Sequence, residues 1–394
     1  MSESGPVSPP PAGIVYVITS LAMGGAQNVL LQLLAGRPAD YEPLCVVTLR
    51  REQGVEEKVR AAGIKVLHLE LNKPWRVPVN LLRMWRYLRN RPVKILFSIM
   101  PHANLLAALL QVCSGRRWRL IWNLHNTPDS GLYRRRDHRF IMWLSYRLAQ
   151  SLPEKIIVVS ERSRARYLAL GYPADKLVLI QNGVAVDEYS VAQQQAVSRQ
   201  VRNALGLDHD AVLIGSLTRY VPAKNIPLLL EALQLLMVHS QSVSGRAVYL
   251  LLAGENMSAD NTELQQLLTR YQLTQRVLLL GIRTDAADLI RALDIATLSS
   301  VSESLPLFMV EAMAAGVPCV ATDVGDIATL FADTGQLVPP GQPQLLAEAW
   351  RAVLEMPEHA RQENITRARQ RISSDFSVRQ MLVGYGEVLR GRSD

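Results

Sequence analysis

The sequence predicts an α/β chain made of two doubly wound parallel-sheet domains. Three observations carry that expectation. At 394 residues and 48% apolar content, the chain is long enough for two or three domains with sizeable cores. Short β-rich runs alternate with amphipathic helical stretches almost without pause, the pattern of parallel sheets covered by helices on both faces. The pattern also restarts once, at residue 212, beyond a polar stretch.

In chain order, strands are expected at 14–18, 44–49, 65–69, 94–98, 120–124, 156–159 and 177–180. Apolar residues at helical spacing place helices at 26–34, 79–88, 103–112, 139–149 and 163–170. The second series has strands at 212–217, 247–252, 277–280, 295–298 and 319–322, with helices at 227–237, 263–271, 286–292 and 307–315. The seam is expected within the Gln-rich stretch 187–202, giving an N-terminal domain over 13–190 and a C-terminal domain over 191–375. Residues 1–12, rich in Ser and Pro, read as a tail. Beyond residue 342 the chain is mostly helical with a break at Asp375-Phe376, and 376–394 is expected to pack back on the first domain. Ligands of such sheets sit beyond the carboxyl ends of the strands, here in a cleft between domains.

Composition excludes several classes. Three cysteines, Cys45, Cys113 and Cys319, form neither a disulfide framework nor a zinc spacing, and read as buried thiols in a reducing compartment. The N-terminus lacks a signal-peptide pattern, and no stretch reaches ~18 uninterrupted apolar residues. A cytoplasmic protein is expected. Its net charge of +8 is uneven: +13 over residues 1–200 and −5 over 201–394. The excess gathers at 83–91 and 116–147, and five of the six tryptophans (Trp75, Trp85, Trp118, Trp122, Trp143) share that half. A solvated helix face and an anionic membrane surface both fit. Nucleic acid is not expected, because no recognition signature accompanies the charge.

Four motifs fall at the carboxyl ends of expected strands. Gly24-Gly25-Ala26 opens a helix after the first strand, where backbone N–H groups can approach an anion; an ordinary tight turn reads equally well. Arg219 and Lys224, five residues apart after strand 212–217, could clamp a diphosphate. Glu303 precedes a helix that carries Glu311, and two carboxylates so separated could take hydroxyls from different parts of one ligand. His125 ends strand 120–124. Asp208-His209-Asp210 looks like a metal-holding Asp-x-Asp element but precedes its strand, at the wrong end of the sheet, so no metal site is assigned.

Together these residues resemble glycosyltransferase family 4, retaining enzymes of the GT-B fold with two Rossmann-like domains facing across a cleft. Gly24-Gly25-Ala26-Gln27 is similar to the family's opening, with Gln for Glu; Val159-Ser160, Asn182-Gly183-Val184 and Ala321-Thr322-Asp323-Val324-Gly325 match its landmarks. Arg219 and Lys224 keep its Arg-to-Lys interval, and Glu303 and Glu311 its paired glutamates. Asp326 and Ala328 depart from it. The resemblance implies a hexosyl- or N-acetylhexosaminyl-transferase of surface-polysaccharide or lipooligosaccharide assembly. It would use a nucleotide-diphosphate sugar, no metal or other cofactor, and a glycan or lipid-linked acceptor. Catalytic candidates are then Arg219, Lys224, Glu303 and His125. Donor-binding candidates are Gly24, Gly25, Arg219, Lys224, Arg283, Glu303, Leu305, Leu307 and Glu311, with Glu303 toward the sugar and Glu311 toward the ribose. The implied location is the inner face of the cell membrane, held peripherally. A related epimerase or a non-catalytic nucleotide-sugar binder are the alternatives.

Overall fold

The computed structural model describes residues 11–22, 24–52, 54–115, 118–125, 136–184, 191–238, 242–243 and 245–391. They form two compact units. The first runs to Gln181 and resumes at Arg379; the second is Asn182–Val378.

The first unit is built on β1 (Ala12–Ile18), β2 (Tyr41–Thr48), β3 (Lys65–His68), β4 (Val93–Ile99), β5 (Arg119–Leu124), β6 (Lys155–Val158) and β7 (Leu177–Leu179). All pairings are parallel, in the order β3-β2-β1-β4-β5-β6-β7. The second unit carries β8 (Val212–Leu217), β9 (Ser242–Val243), β10 (Arg246–Ala253), β11 (Val277–Leu279), β12 (Ile295–Leu298), β13 (Cys319–Thr322) and β14 (Gln336–Val338). Its parallel order is β11-β10-β8-β12-β13-β14, with β9 antiparallel on β10. Each sheet is therefore a doubly wound, Rossmann-like sheet with one reversal of order, between β1 and β4 in the first and β8 and β12 in the second.

Burial on both faces explains the apolar strands. In β8, Val212 and Ile214 enter one core and Leu213 the other, and all three are fully buried. The final helix, Val378–Arg390, is held on the first sheet by Tyr385, whose hydroxyl accepts from Asn123 Nδ2 at 2.7 Å. Tyr41 donates to the Leu389 carbonyl at 2.7 Å, and Arg119 Nη2 to the Val388 carbonyl at 3.0 Å.

Several expectations change. The polar stretch read as a seam contains a helix, Val191–Ala204, in the second unit. Its inward stripe includes Arg202, which reaches the Ala292 carbonyl and Asp294 Oδ2 at 2.8 Å each, while Asp294 also accepts from Leu213 N at 2.7 Å. Residues 1–10 of the expected tail lie outside the described residues, and Ala12 already belongs to β1. Cys45 and Cys319 are buried, but Cys113 is exposed, because its helix Pro101–Ser114 keeps apolar residues on its outer face as well. Among the described residues no helix is long and apolar enough to cross a membrane.

Candidate active site

At the switch point of the second sheet, the loops leaving β8 and β12 emerge as neighbours because their strands pair. Lys224 closes the 3₁₀ turn Pro222–Lys224 after β8; Asn225, left-handed at φ 47°, then turns the chain into helix Ile226–Val238. Val301 N donates to the Ala223 carbonyl at 2.9 Å, and the Ser299 hydroxyl lies 2.9 Å from both the Lys224 and Asn225 carbonyls. These contacts lock one loop to the other.

The consequence is a direct ion pair, Lys224 Nζ to Glu303 Oε1. Ser300 Oγ donates to the same carboxylate oxygen at 2.5 Å, and Thr322 Oγ1, at the end of β13, holds the Ser300 carbonyl at 2.6 Å. Side-chain exposures of 18% for Lys224 and 9% for Glu303 place the pair mostly out of water, where each charge depends on the other. Gly325, at φ 64°, lets the loop after β13 press on the Glu303 carbonyl; a Cβ there would collide with it. Asp326 N, at one of the departures from the family pattern, donates to the Ser304 carbonyl at 2.9 Å. Ser299 and Ser300 carry this geometry and escaped the sequence reading. The available signal was two adjacent hydroxyl residues directly after a buried strand.

The remaining candidates divide by location. Arg219 is exposed in the same loop as Lys224, and no described residue pairs with it. Leu305 is buried between Glu303 and the helix Leu307–Ala315, which Leu307 opens half-buried. On that helix Glu311 remains exposed while Phe308, Met309, Val310 and Ala312 are buried. The protein crowding its carboxyl still removes enough water to push its pKa up, and among the described residues nothing hydrogen-bonds it. Such a carboxyl gains from hydroxyl donors. Arg283 stands apart: it follows β11, beyond β10 from β8, and is held by Asp285 at 2.8 and 2.6 Å.

Gly24, Gly25 and His125 belong to the first unit. Gly24 caps helix Gly25–Ala35, and Gln27 Nε2 donates to the Ser20 carbonyl at 3.0 Å, a bond a glutamate could not give. His125 directly follows β5. The residue as a whole is half-buried, but its Nε2 is fully buried without a partner among the described residues, and burial lowers its pKa from 6.5 to about 4. The ring is therefore neutral near pH 7. Unfolded, it takes a proton below 6.5; folded, only below about 4. Stability is thus unaffected above that window and falls as acid is added through it. His125→Gln is expected to flatten the fall in urea midpoint between those pH values; parallel curves for variant and wild type would exclude this origin.

Two doubly wound, Rossmann-like sheets form the frame of the GT-B glycosyltransferases. The solved Anabaena Alr3699/HepE complex with UDP-glucose superposes with TM-score 0.80 at 21% identity, covering 96% of this chain and 99% of that one. Residues 23–188 match the family described as Glycosyltransferase Family 4, and residues 208–356 that described as Glycosyl transferases group 1. The chain belongs to these glycosyltransferases. It is 22% identical over 316 residues to the Escherichia coli UDP-Gal:alpha-D-GlcNAc-diphosphoundecaprenol alpha-1,3-galactosyltransferase, 79% of each chain. To the lipopolysaccharide core biosynthesis mannosyltransferase LpsB of Rhizobium meliloti it is 25% identical over 308 residues, 75% of this chain and 80% of that one.

Proposed function

We propose that this glycosyltransferase moves a hexosyl or N-acetylhexosaminyl group from a nucleotide-diphosphate sugar to a glycan or lipid-linked acceptor, with retention of configuration and without a metal, at an anionic membrane surface. The observation that carries the reading is the Lys224–Glu303 pair at the switch point, with Arg219 on the same loop as Lys224 and the desolvated Glu311 on the following helix.

In this reading the bond between the anomeric carbon and the β-phosphate oxygen breaks, and its electron pair stays on the phosphate. Lys224, Arg219 and the N–H groups opening helix Leu307–Ala315 stabilise that charge as it forms. The acceptor oxygen bonds to the anomeric carbon from the same face and gives its proton to the departing phosphate. Glu303 takes a sugar hydroxyl and Glu311 the ribose hydroxyls. UDP is the first nucleotide to try, since the names of the Escherichia coli relative and the Anabaena complex both carry it.

A panel of UDP-, GDP- and ADP-sugars read by thermal stability identifies the donor, because a ligand of the native state raises the midpoint. With that donor, transfer is expected to persist at full rate in excess EDTA. Abolition by chelator, with recovery on adding a divalent ion, would overturn the metal-free mechanism.

A further inference from the structure

The first unit carries an outer surface that its own fold does not explain. Helices Val77–Arg89, Pro101–Ser114 and Arg136–Ala149 cover one face of the first sheet, since Met84, Leu88, Ala107 and Ala149 share a single core with Val15 and Val17 of β1. Their outward sides are unusually apolar. Of the six tryptophans, Trp118, Trp122 and Trp350 are buried, whereas Trp75, Trp85 and Trp143 are 72%, 41% and 54% exposed. All three exposed rings lie in this layer or directly before it, together with exposed Val79, Leu82 and Phe140.

Along helix Val77–Arg89 of this layer the charge has one sign, and Arg76 just before it is paired with Glu70. Residues 75–91 contain Arg76, Arg83, Arg86, Arg89 and Arg91 and no acidic residue. On helix Val77–Arg89 the inward positions are Leu81, Met84, Tyr87 and Leu88, and the outward ones interleave Val79, Leu82 and Trp85 with Arg83, Arg86 and Arg89. Arg89 lies 5.2 Å from the Trp85 ring centre, and Arg147 6.0 Å from that of Trp143. A helix solvated on its outer side has no use for exposed indoles, and a run of arginines with no acidic residue among them calls for an anionic occupant. Tryptophan settles where hydrocarbon meets water, and arginine beside it reaches anionic headgroups.

We propose that this layer, centred on Trp75 and helix Val77–Arg89, is the surface by which the first unit lies on an anionic lipid bilayer. The assignment rests on the membrane-side reading above and names the face that serves it. Arginine guanidinium groups pair with lipid phosphate while Val79, Leu82 and Trp85 enter the headgroup boundary. Exposed Cys113, with Leu109 and Val112, extends the apolar surface along the neighbouring helix.

The test uses the full chain with vesicles of phosphatidylcholine alone or mixed with phosphatidylglycerol, at low salt. Wild type is expected to sediment with the anionic vesicles only, to be released by salt, and to show a blue-shifted tryptophan emission on binding. Arg83→Gln with Arg86→Gln is expected to weaken binding by about tenfold or more. Trp75→Ser with Trp85→Ser should weaken it similarly and remove most of the blue shift. Arg270→Gln with Arg276→Gln, in the second unit, should change neither. Wild type that ignores anionic vesicles overturns both this assignment and the membrane-side reading, while donor-induced thermal stabilisation tests the transferase reading independently. Vesicle binding undiminished in the face variants overturns this assignment alone and leaves a protein partner as the occupant of the surface.

Discussion

Lys224→Ala is expected to lower the rate of glycosyl transfer by about 10²–10³-fold, the usual effect of removing one fixed donor from a site where negative charge develops. The side chain is positioned by backbone, not by its own flexibility. The Pro222–Lys224 turn, the left-handed Asn225 and the Ser299 hydroxyl bridging two carbonyls all fix where the Lys224 stem begins. The protein should remain folded but with a lower unfolding midpoint: the contacts locking the β8 and β12 loops run through main-chain carbonyls that the substitution leaves in place and Glu303 keeps the Ser300 hydroxyl, while its carboxylate loses the neighbouring cation. Circular dichroism and thermal unfolding check the fold, and single-turnover rates check chemistry apart from product release. Lys224→Arg keeps the charge but spreads it over a planar fork, so an intermediate rate is expected. Turnover of Lys224→Ala within a few-fold of wild type would remove Lys224 from the mechanism.

How far the sequence discloses this site depends on what the fold contributes. Strands β8, β12 and β13 are legible to the residue, since each is a short apolar run ended by polar loop residues and buried on both faces. The identities of Lys224 and Glu303 are legible too, from the type and spacing of residues at strand ends. Their pairing is not, because they are 79 positions apart and meet only through the adjacency of β8 and β12 across the order reversal. Helix Val191–Ala204 was hidden for another reason. Gln194, Ser198 and Arg202 occupy three of its inward positions, so the apolar stripe that marks a helix is broken. The structure satisfies them with Arg369 on Gln194 Oε1 and with Asp294 and Ser198 on Arg202. β14 was missed because it opens on exposed Gln336 and buries only Val338, so it lacks the all-apolar run that marks the equally short β7 and β11. Cys113 misled for the opposite reason, since an apolar stretch normally reports burial and here much of it faces outward.

Glu303→Gln should separate binding from turnover by moving them in opposite directions. In the protein without ligand, the Glu303 carboxylate holds the Lys224 ammonium, so a diphosphate reaching for Lys224 must displace a charged partner. The amide has nearly the same shape, and its oxygen still accepts from Ser300, so the loop is retained. It offers Lys224 only a neutral acceptor, however, so the Coulomb attraction between ammonium and carboxylate is lost. The ammonium is then more available, and the affinity for UDP is expected to rise, by up to about tenfold for a difference near 1.4 kcal/mol. Transfer should fall by about 10²-fold or more if, as proposed, the Glu303 carboxylate takes a hydroxyl of the donor sugar, because that carboxylate has lost its charge. Titration calorimetry with UDP and rates with the intact donor measure the two arms separately. Weaker UDP binding by Glu303→Gln would show that Glu303 does not compete for Lys224. Unchanged transfer would show that its carboxylate does not act on the donor sugar. A rise in one arm with a fall in the other fits a pair whose two charges are exchanged for a phosphate and a sugar hydroxyl when the donor binds.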